Sequence, residues 1–355
     1  MSETMLTYIQ EEPEILQKII QDFDFKELQE QLPNEVRKLL ILATGSSLNA
    51  ALAAKCYFEQ LADVTVTIEE PYHFQHYGHF DSDTDLVIAI SQSGKSTSTI
   101  NVLKEIKKQQ VKSFALTSNL VSPLVRDTNY TLDLNIGIEK VGYVTKGFSG
   151  TVLNLFLLAL GIAARKQVIF KEKFESEIQD LQCIVGELLT LIPRVKHFFE
   201  DNQELFVEYS RLVCIGYGAN YGIAKEFETK FTETTRLPST GFELEAYMHG
   251  PYLEAQATHL LFFFIDASKN RQRAIKLRDY MKKHVGNTIT VVDTKESAAS
   301  FEFSLNTNCQ NLLLLPLLYV VVAQTWSYQL ATSMGIDLSV DPFPDFDEAL
   351  GSKLI

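Results

Sequence analysis

The sequence predicts an α/β fold in two tandem lobes, each a parallel sheet flanked by helices in three αβα layers, and three observations carry that prediction. Short continuous apolar runs alternate with helix-length segments, the pattern of parallel strands buried on both faces. A long mixed helical stretch interrupts the alternation once, after which it begins again, so one plan occurs twice. Finally, 355 residues with 46% hydrophobic content suffice for two cores at roughly 150 residues per domain.

In chain order, residues 1–34 read as a helical lead-in. Ile15, Leu16, Ile19, Ile20 and Phe23 recur at helical spacing, and Pro33 ends the stretch. The first lobe is drawn over 35–195. Lys38 to Ala43 is a strand-like run that breaks at Thr44-Gly45-Ser46-Ser47, followed by a helical segment from Leu48 to Leu61. Val64 to Ile68, Asp85 to Ile90, Lys112 to Thr117 and Tyr130 to Leu134 supply further strands, with a helix from Thr97 to Gln109. The apolar run Thr151 to Ala164 reads as a core helix, and the mixed stretch from Phe170 to Glu200, which contains Pro193, as the connection between lobes. The second lobe, 196–355, repeats the plan with strands at 211–215, 260–265 and 288–292, a helix from Tyr221 to Thr235 and a second apolar helix within 312–324. It also takes in the C-terminal tail.

Composition narrows the function classes. A formal net charge of -13 opposes a nucleic acid partner, because nothing except local basic patches would offset the repulsion. Small phosphate esters stay open, since backbone N–H groups and hydroxyls hold them without net positive charge. Cys56, Cys183, Cys214 and Cys309 are scattered, have no CxxC spacing and read as buried thiols of a reducing, cytoplasmic compartment. The stretch Met1 to Pro13 has no signal-peptide pattern, and the two longest apolar runs fall short of the roughly 20 residues a bilayer span needs, so no membrane partner is expected. His73, His76 and His79 stand at metal-like spacing, but Pro71 and Gly78 argue against a regular helix that would align them; no metal and no cofactor are expected.

The most suggestive local feature is the loop Ser91-Gln92-Ser93-Gly94-Lys95-Ser96, set between a strand and a helix. A helix N-terminus offers unpaired N–H groups and positive partial charge, and short hydroxyl side chains add donors. Ligands of open parallel sheets bind beyond the carboxyl ends of the strands, so Gly45-Ser46-Ser47 would face the same crevice. Taken alone, the loop is equally a phosphate cradle or a serine-rich helix cap. It is not a nucleotide-binding P-loop, because the glycine required with four residues between it and the Gly94-Lys95 pair is absent. Gly216, Gly218 and Gly222 do not have dinucleotide-turn spacing either.

These motifs resemble the sugar isomerase (SIS) domain family, and within it the isomerase half of glucosamine-6-phosphate synthase and the fructosamine-6-phosphate deglycases. The family's SQSGxT phosphate signature stands here as Ser91 to Ser96, its first-strand turn as Gly45-Ser46-Ser47, and its STKAF segment as Val144-Thr145-Lys146-Gly147-Phe148 with valine in place of serine. The segment Phe227 to Pro251 resembles its KxxE motif followed by HGP. The resemblance implies that Gly45, Ser46, Ser47, Ser91, Gln92, Ser93 and Ser96 bind the phosphate, that Glu233 moves the proton with Lys230 beside it, and that His249 assists ring opening. It also implies a homodimer in which His249 reaches the neighbouring subunit's site. A carboxylate in a partly dry cleft suits proton abstraction beside a carbonyl, and histidine suits exchange with the ring oxygen.

The expectation is therefore a phosphosugar isomerase or deglycase acting on a 6-phosphorylated amino sugar or fructosamine through an enolamine. The alternative is a sugar-phosphate sensor without catalysis. The chain starts Met1-Ser2-Glu3, without the N-terminal cysteine of the synthase's amidotransferase, so glutamine is not expected as a substrate. Lys353 is not at the spacing of the synthase's imine-forming tail lysine, which speaks against imine catalysis. After the strand at 261–265, Asp266 stands where the first lobe has serine, so the second lobe should repel phosphate.

Overall fold

The structure is a computed structural model describing residues 3–294 and 301–354. The chain divides into two compact units: Glu14–Gln179 with Val340–Ile355, called here the first, and Met1–Pro13 with Asp180–Ser339, the second.

Two helices lead in, α1 (Met5–Asp22) and α2 (Phe25–Gln31). The helix or helix pair expected over 13–32 is a pair, the second helix capped by Asp24, whose side chain accepts from Glu27 N at 2.9 Å. The plan of the first unit then follows: β1 (Lys38–Leu42), α3 (Ser46–Leu61), β2 (Thr65–Glu69), α4 (Pro71–Tyr77), β3 (Leu86–Ile90), α5 (Thr97–Ile106), β4 (Lys112–Thr117), β5 (Tyr130–Asp133) and α6 (Lys146–Arg165). All five strands are parallel, in the order β2-β1-β3-β4-β5. Every residue of central β3 is buried, whereas edge strand β2 is only partly covered, as sequence runs of LVIAI and TVTIE dictate. Helix α6 is buried from Lys146 to Ala163, on all sides rather than along one stripe, which is why its sequence is apolar all round.

Helix α7 (Lys171–Asp201) runs unbroken through Pro193. The second unit then repeats the plan with β6 (Arg211–Gly216), α8 (Asn220–Thr235), β7 (Ser239–Glu243), α9 (Leu244–Met248), β8 (His259–Ile265), α10 (Arg271–Met281), β9 (Asn287–Val292), β10 (Glu302–Ser304) and α11 (Pro316–Ser333). Its sheet is also wholly parallel, ordered β10-β9-β8-β6-β7. Read from the other edge, this is the order of the first sheet, so the repeat suggested by the alternation is one topology used twice. Edge strands β7 and β10 escaped the sequence reading because STGFE and EFS contain no apolar run.

Four sequence expectations change. The tail, assigned with the second lobe, belongs to the first unit, where α12 (Phe346–Leu350) is followed by backbone bonds from Thr97 N to Ser352 O (3.1 Å) and from Leu354 N to Lys95 O (2.9 Å). His73 and His76 do lie on a helix, α4, because Pro71 fits its first turn and Gly78 follows its end; His79 lies beyond it. Among the described residues no three His, Cys, Asp or Glu side chains group as metal ligands. Cys183 is exposed rather than buried, whereas burial pushes the thiol of Cys214 well up. Finally, α6 and the stretch Leu312–Ser333 are by length and composition long enough to cross a bilayer, but 94% and 78% of their most apolar windows are buried inside the protein.

Candidate functional site

A cavity of about 550 Å³ opens in the first unit at the carboxyl ends of β1 and β3, where the strand order reverses. Two helices begin there. After β1 the chain turns through Gly45, whose φ of 58° is a left-handed value that glycine adopts without strain, and α3 starts with Ser46 and Ser47. After β3 the loop Ser91 to Ser96 turns through Gly94 (φ 65°) into α5. Ser46, Ser47, Ser91, Gln92, Ser93 and Ser96 all line the cavity, and Gly45 sets the turn beneath them.

The hydrogen bonds of this loop explain what it presents. The carbonyl of Gln92 accepts from Ser118 N (3.0 Å) and Thr117 Oγ1 (3.1 Å), that of Ser93 from Asn119 Nδ2 (3.4 Å), and that of Gly94 from Leu124 N (3.3 Å). Three successive carbonyl oxygens are thus bound by the segment after β4, and the hydroxyls are left on the cavity side. Ser96 is the N-cap residue of α5, yet its hydroxyl makes no capping bond; it accepts instead from Thr99 Oγ1 at 3.0 Å. A serine cap should bind a backbone N–H of its helix's first turn, and the Ser96 hydroxyl meets only side chains there. Two helix N-termini and the hydroxyls of Ser46, Ser47, Ser91, Ser93 and Ser96 around one cavity suit an anion such as a phosphate ester.

The first turn of α6 is filled differently. Glu139 accepts from Thr145 N (3.0 Å), Thr145 Oγ1 (2.6 Å) and Gly147 N (3.1 Å), and also from Gln92 Nε2 at 2.8 Å. A carboxylate of the protein itself therefore occupies this N-terminus and ties the segment before α6 to the loop at Gln92. Sequence reasoning missed Glu139, together with Ser118, Asn119 and Thr151 in the lining. It also set Lys353 aside on spacing. In the structure the tail pairs antiparallel with the serine loop through Ser96 and Lys353, and Lys353 lines the cavity. Its ammonium is ion-paired with Asp347 at 2.7 Å, and that bond, with one from Ser352, holds the Asp347 carboxyl below its usual range. Spacing along the chain could not reveal this, because pairing onto a loop more than 250 residues earlier decides it.

Lys230, Glu233 and His249 are in the second unit, and the cavity lining comes from the first. Lys230 and Glu233 share a face of α8 and form an ion pair. Glu226, one turn before Lys230, completes the group with an Oε1–Nζ distance of 3.4 Å. The Lys230 and Glu226 side chains are fully buried and Glu233 is 30% exposed. Burial alone would push the Lys230 ammonium down, but the two carboxylates outweigh it and hold it above its ordinary value. His249 is exposed just past the end of α9, its N–H donating to Ala246 O at 3.2 Å.

The second sheet has the same switch point, filled with carboxylates. Asp266 follows β8 and accepts from Ser268 N at 3.0 Å, while Asp293 accepts from Ala267 N at 2.8 Å. Burial raises the Asp293 carboxyl, and neighbouring Asp266 adds to it. N–H groups that could hold an anion are here bonded to the protein's own acids.

Fold and cavity together define a tandem, doubly wound α/β protein with one hydroxyl-rich and one carboxylate-filled switch point. The SIS domain family matches over residues 34–162 and 205–334, one stretch for each sheet, and the chain belongs to that family. The glutamine–fructose-6-phosphate aminotransferase (isomerizing) of Methanosarcina acetivorans is 27% identical over 313 residues, which cover 87% of this chain and 50% of that protein. The chain spans about half the length of the aminotransferases it matches. Among solved structures, a Clostridium difficile protein provisionally named a phosphosugar isomerase superposes with a TM-score of 0.89 at 27% identity, over 99% of both chains. The C-terminal domain of glucosamine-fructose-6-phosphate aminotransferase from Francisella tularensis gives a TM-score of 0.86 over 95% of this chain and 98% of that one. At 22% identity, that second likeness is one of fold.

Proposed function

We propose that this chain is a phosphosugar enzyme that binds a sugar 6-phosphate in the first-unit cavity and shifts a proton between C1 and C2 of an amino sugar or fructosamine. The observation that carries this reading is the loop Ser91 to Ser96, whose carbonyls are bound elsewhere and whose hydroxyls line a cavity at two helix N-termini. The phosphate supplies remote binding energy that fixes the reacting carbons. Glu233 takes the proton from the carbon beside the carbonyl, and the C–H electron pair forms the C1–C2 double bond while the C=O π pair moves onto oxygen, which takes up a proton to give an enediol or enolamine. Glu233 then returns its proton to the former carbonyl carbon as the neighbouring heteroatom gives up its own. His249 serves ring opening, reaching a neighbouring subunit's substrate in a homodimer. The names of the chain's relatives, phosphosugar isomerase and glutamine–fructose-6-phosphate aminotransferase, support the substrate class. Lys353 in the cavity wall supports a tail amine that meets the open-chain carbonyl, the path that its spacing had spoken against.

The test is turnover on a panel of 6-phosphorylated amino sugars and fructosamines, read as aldose–ketose exchange or loss of amine. Glu233→Gln should lower kcat by about 10²–10⁴-fold with KM little changed. Unchanged turnover removes Glu233 as the base. Tight binding across the panel with no turnover favours the sensor.

A further inference from the structure

One part of the cavity wall has no use for a bare sugar phosphate. Ile138, Val141 and Val144 recur at every third residue along the segment joining β5 to α6, and all three line the cavity, with Phe148 of the first turn of α6 beside them. Ile138 is 75% exposed, so its side chain is open to a ligand in the cavity. The segment is not loose: Glu139 binds it to the start of α6 at Thr145 and Gly147 and to the serine loop at Gln92. The apolar stripe is therefore held in place beside the anion-binding loop before any ligand arrives. A hexose carries a hydroxyl or carbonyl on nearly every carbon and gains little from such a wall. A cavity of about 550 Å³ lies within the range of about 300–1,000 Å³ used by small-molecule sites, so a substituent can enter with the sugar.

We propose that the substrate's nitrogen carries an apolar substituent, a linear or branched aliphatic chain that lies along Ile138, Val141 and Val144. This rests on the phosphosugar reading above and names its substrate class.

The experiment is calorimetric binding of open-chain 1-amino-1-deoxyglucitol 6-phosphates, which lack the carbonyl and cannot react, with N-substituents running from hydrogen through methyl and propyl to isobutyl. The dissociation constant should fall about fourfold for each methylene buried. In Ile138→Asn, at an exposed position that the fold does not need, the series should flatten. Two results would overturn the proposal: affinity independent of chain length in the wild type, or tighter binding of a chain of equal length ending in an ammonium or carboxylate. If neither the unsubstituted member nor inorganic phosphate binds, the phosphosugar reading fails and this inference fails with it, a result distinct from a flat series of tight binders.

Discussion

Gly94 shows at the residue scale how little latitude the serine loop has. Its φ of 65° lies where a side chain is strained, and a Cβ there would sit 2.0 Å from Ser122 Oγ and 2.3 Å from Ser122 Cβ. Both penalties fall on the loop that binds the carbonyls of Gln92, Ser93 and Gly94 to the next segment. Gly94→Ala should therefore cost about 1–3 kcal/mol in stability and weaken phosphate binding at the same time. Thermal unfolding and phosphate titration of the same variant check this, and a destabilised variant with unaltered phosphate affinity would dissociate the loop from the anion site. The hydroxyls of this loop were legible in the sequence as residue types. That they do not cap their own helix was not, because only the bonding partners of Ser96 distinguish a cradle from a cap.

At the scale of elements, α8 and the tail each carry a dependence that their sequences conceal. On α8, Lys230 sits in the interior between Glu226 and Glu233, so replacing it with methionine removes the ammonium that pairs with buried Glu226. Lys230→Met should cost about 3–5 kcal/mol, measurable by urea unfolding. A lysine whose folded-state pKa is raised contributes stability that is fully present below its unfolded value of about 10.4 and is lost as pH climbs through the folded value. The gap between wild type and Lys230→Met should accordingly stay level from neutral pH to about 9 and begin to narrow above about 10.4. The KxxE spacing placed Lys230 and Glu233 on one face in advance; Glu226 was overlooked, although it lies at the equally diagnostic spacing of four. The tail docks through Gly351, Ser352 and Leu354 onto Lys95 and Thr97. Removing residues 345–355 should leave unfolding cooperative, since α12 buries no side chain, while turnover on the preferred sugar phosphate falls because Lys353 leaves the cavity wall. Full turnover after truncation would exclude the tail from the reaction.

For the whole molecule, the two sheets share one strand order, yet their switch points have diverged. The first gathers hydroxyls at helix N-termini, and the second gives the corresponding N–H groups to Asp266 and Asp293. The second switch point is thus no counterpart of the hydroxyl-lined cavity in the first. If the working site is shared in a twofold dimer, co-expressing a Ser93→Asp chain with a His249→Ala chain should recover roughly a quarter of wild-type activity, since half the dimers are hybrids with one intact site each. No recovery in hybrids shown to form would place His249 in its own chain's site.

By itself the sequence determined the class of fold, its duplication and the residue types at the first switch point. Continuous apolar strands are demanded by a sheet covered on both faces, and hydroxyls and glycine at a strand-to-helix turn are local chemistry. Only the tertiary structure decided which unit the tail joins, that Lys353 stands in the cavity wall, and that Glu139 ties the start of α6 to the serine loop. Those outcomes depend on backbone and side-chain bonds between residues far apart in the chain, where spacing along the sequence carries no signal.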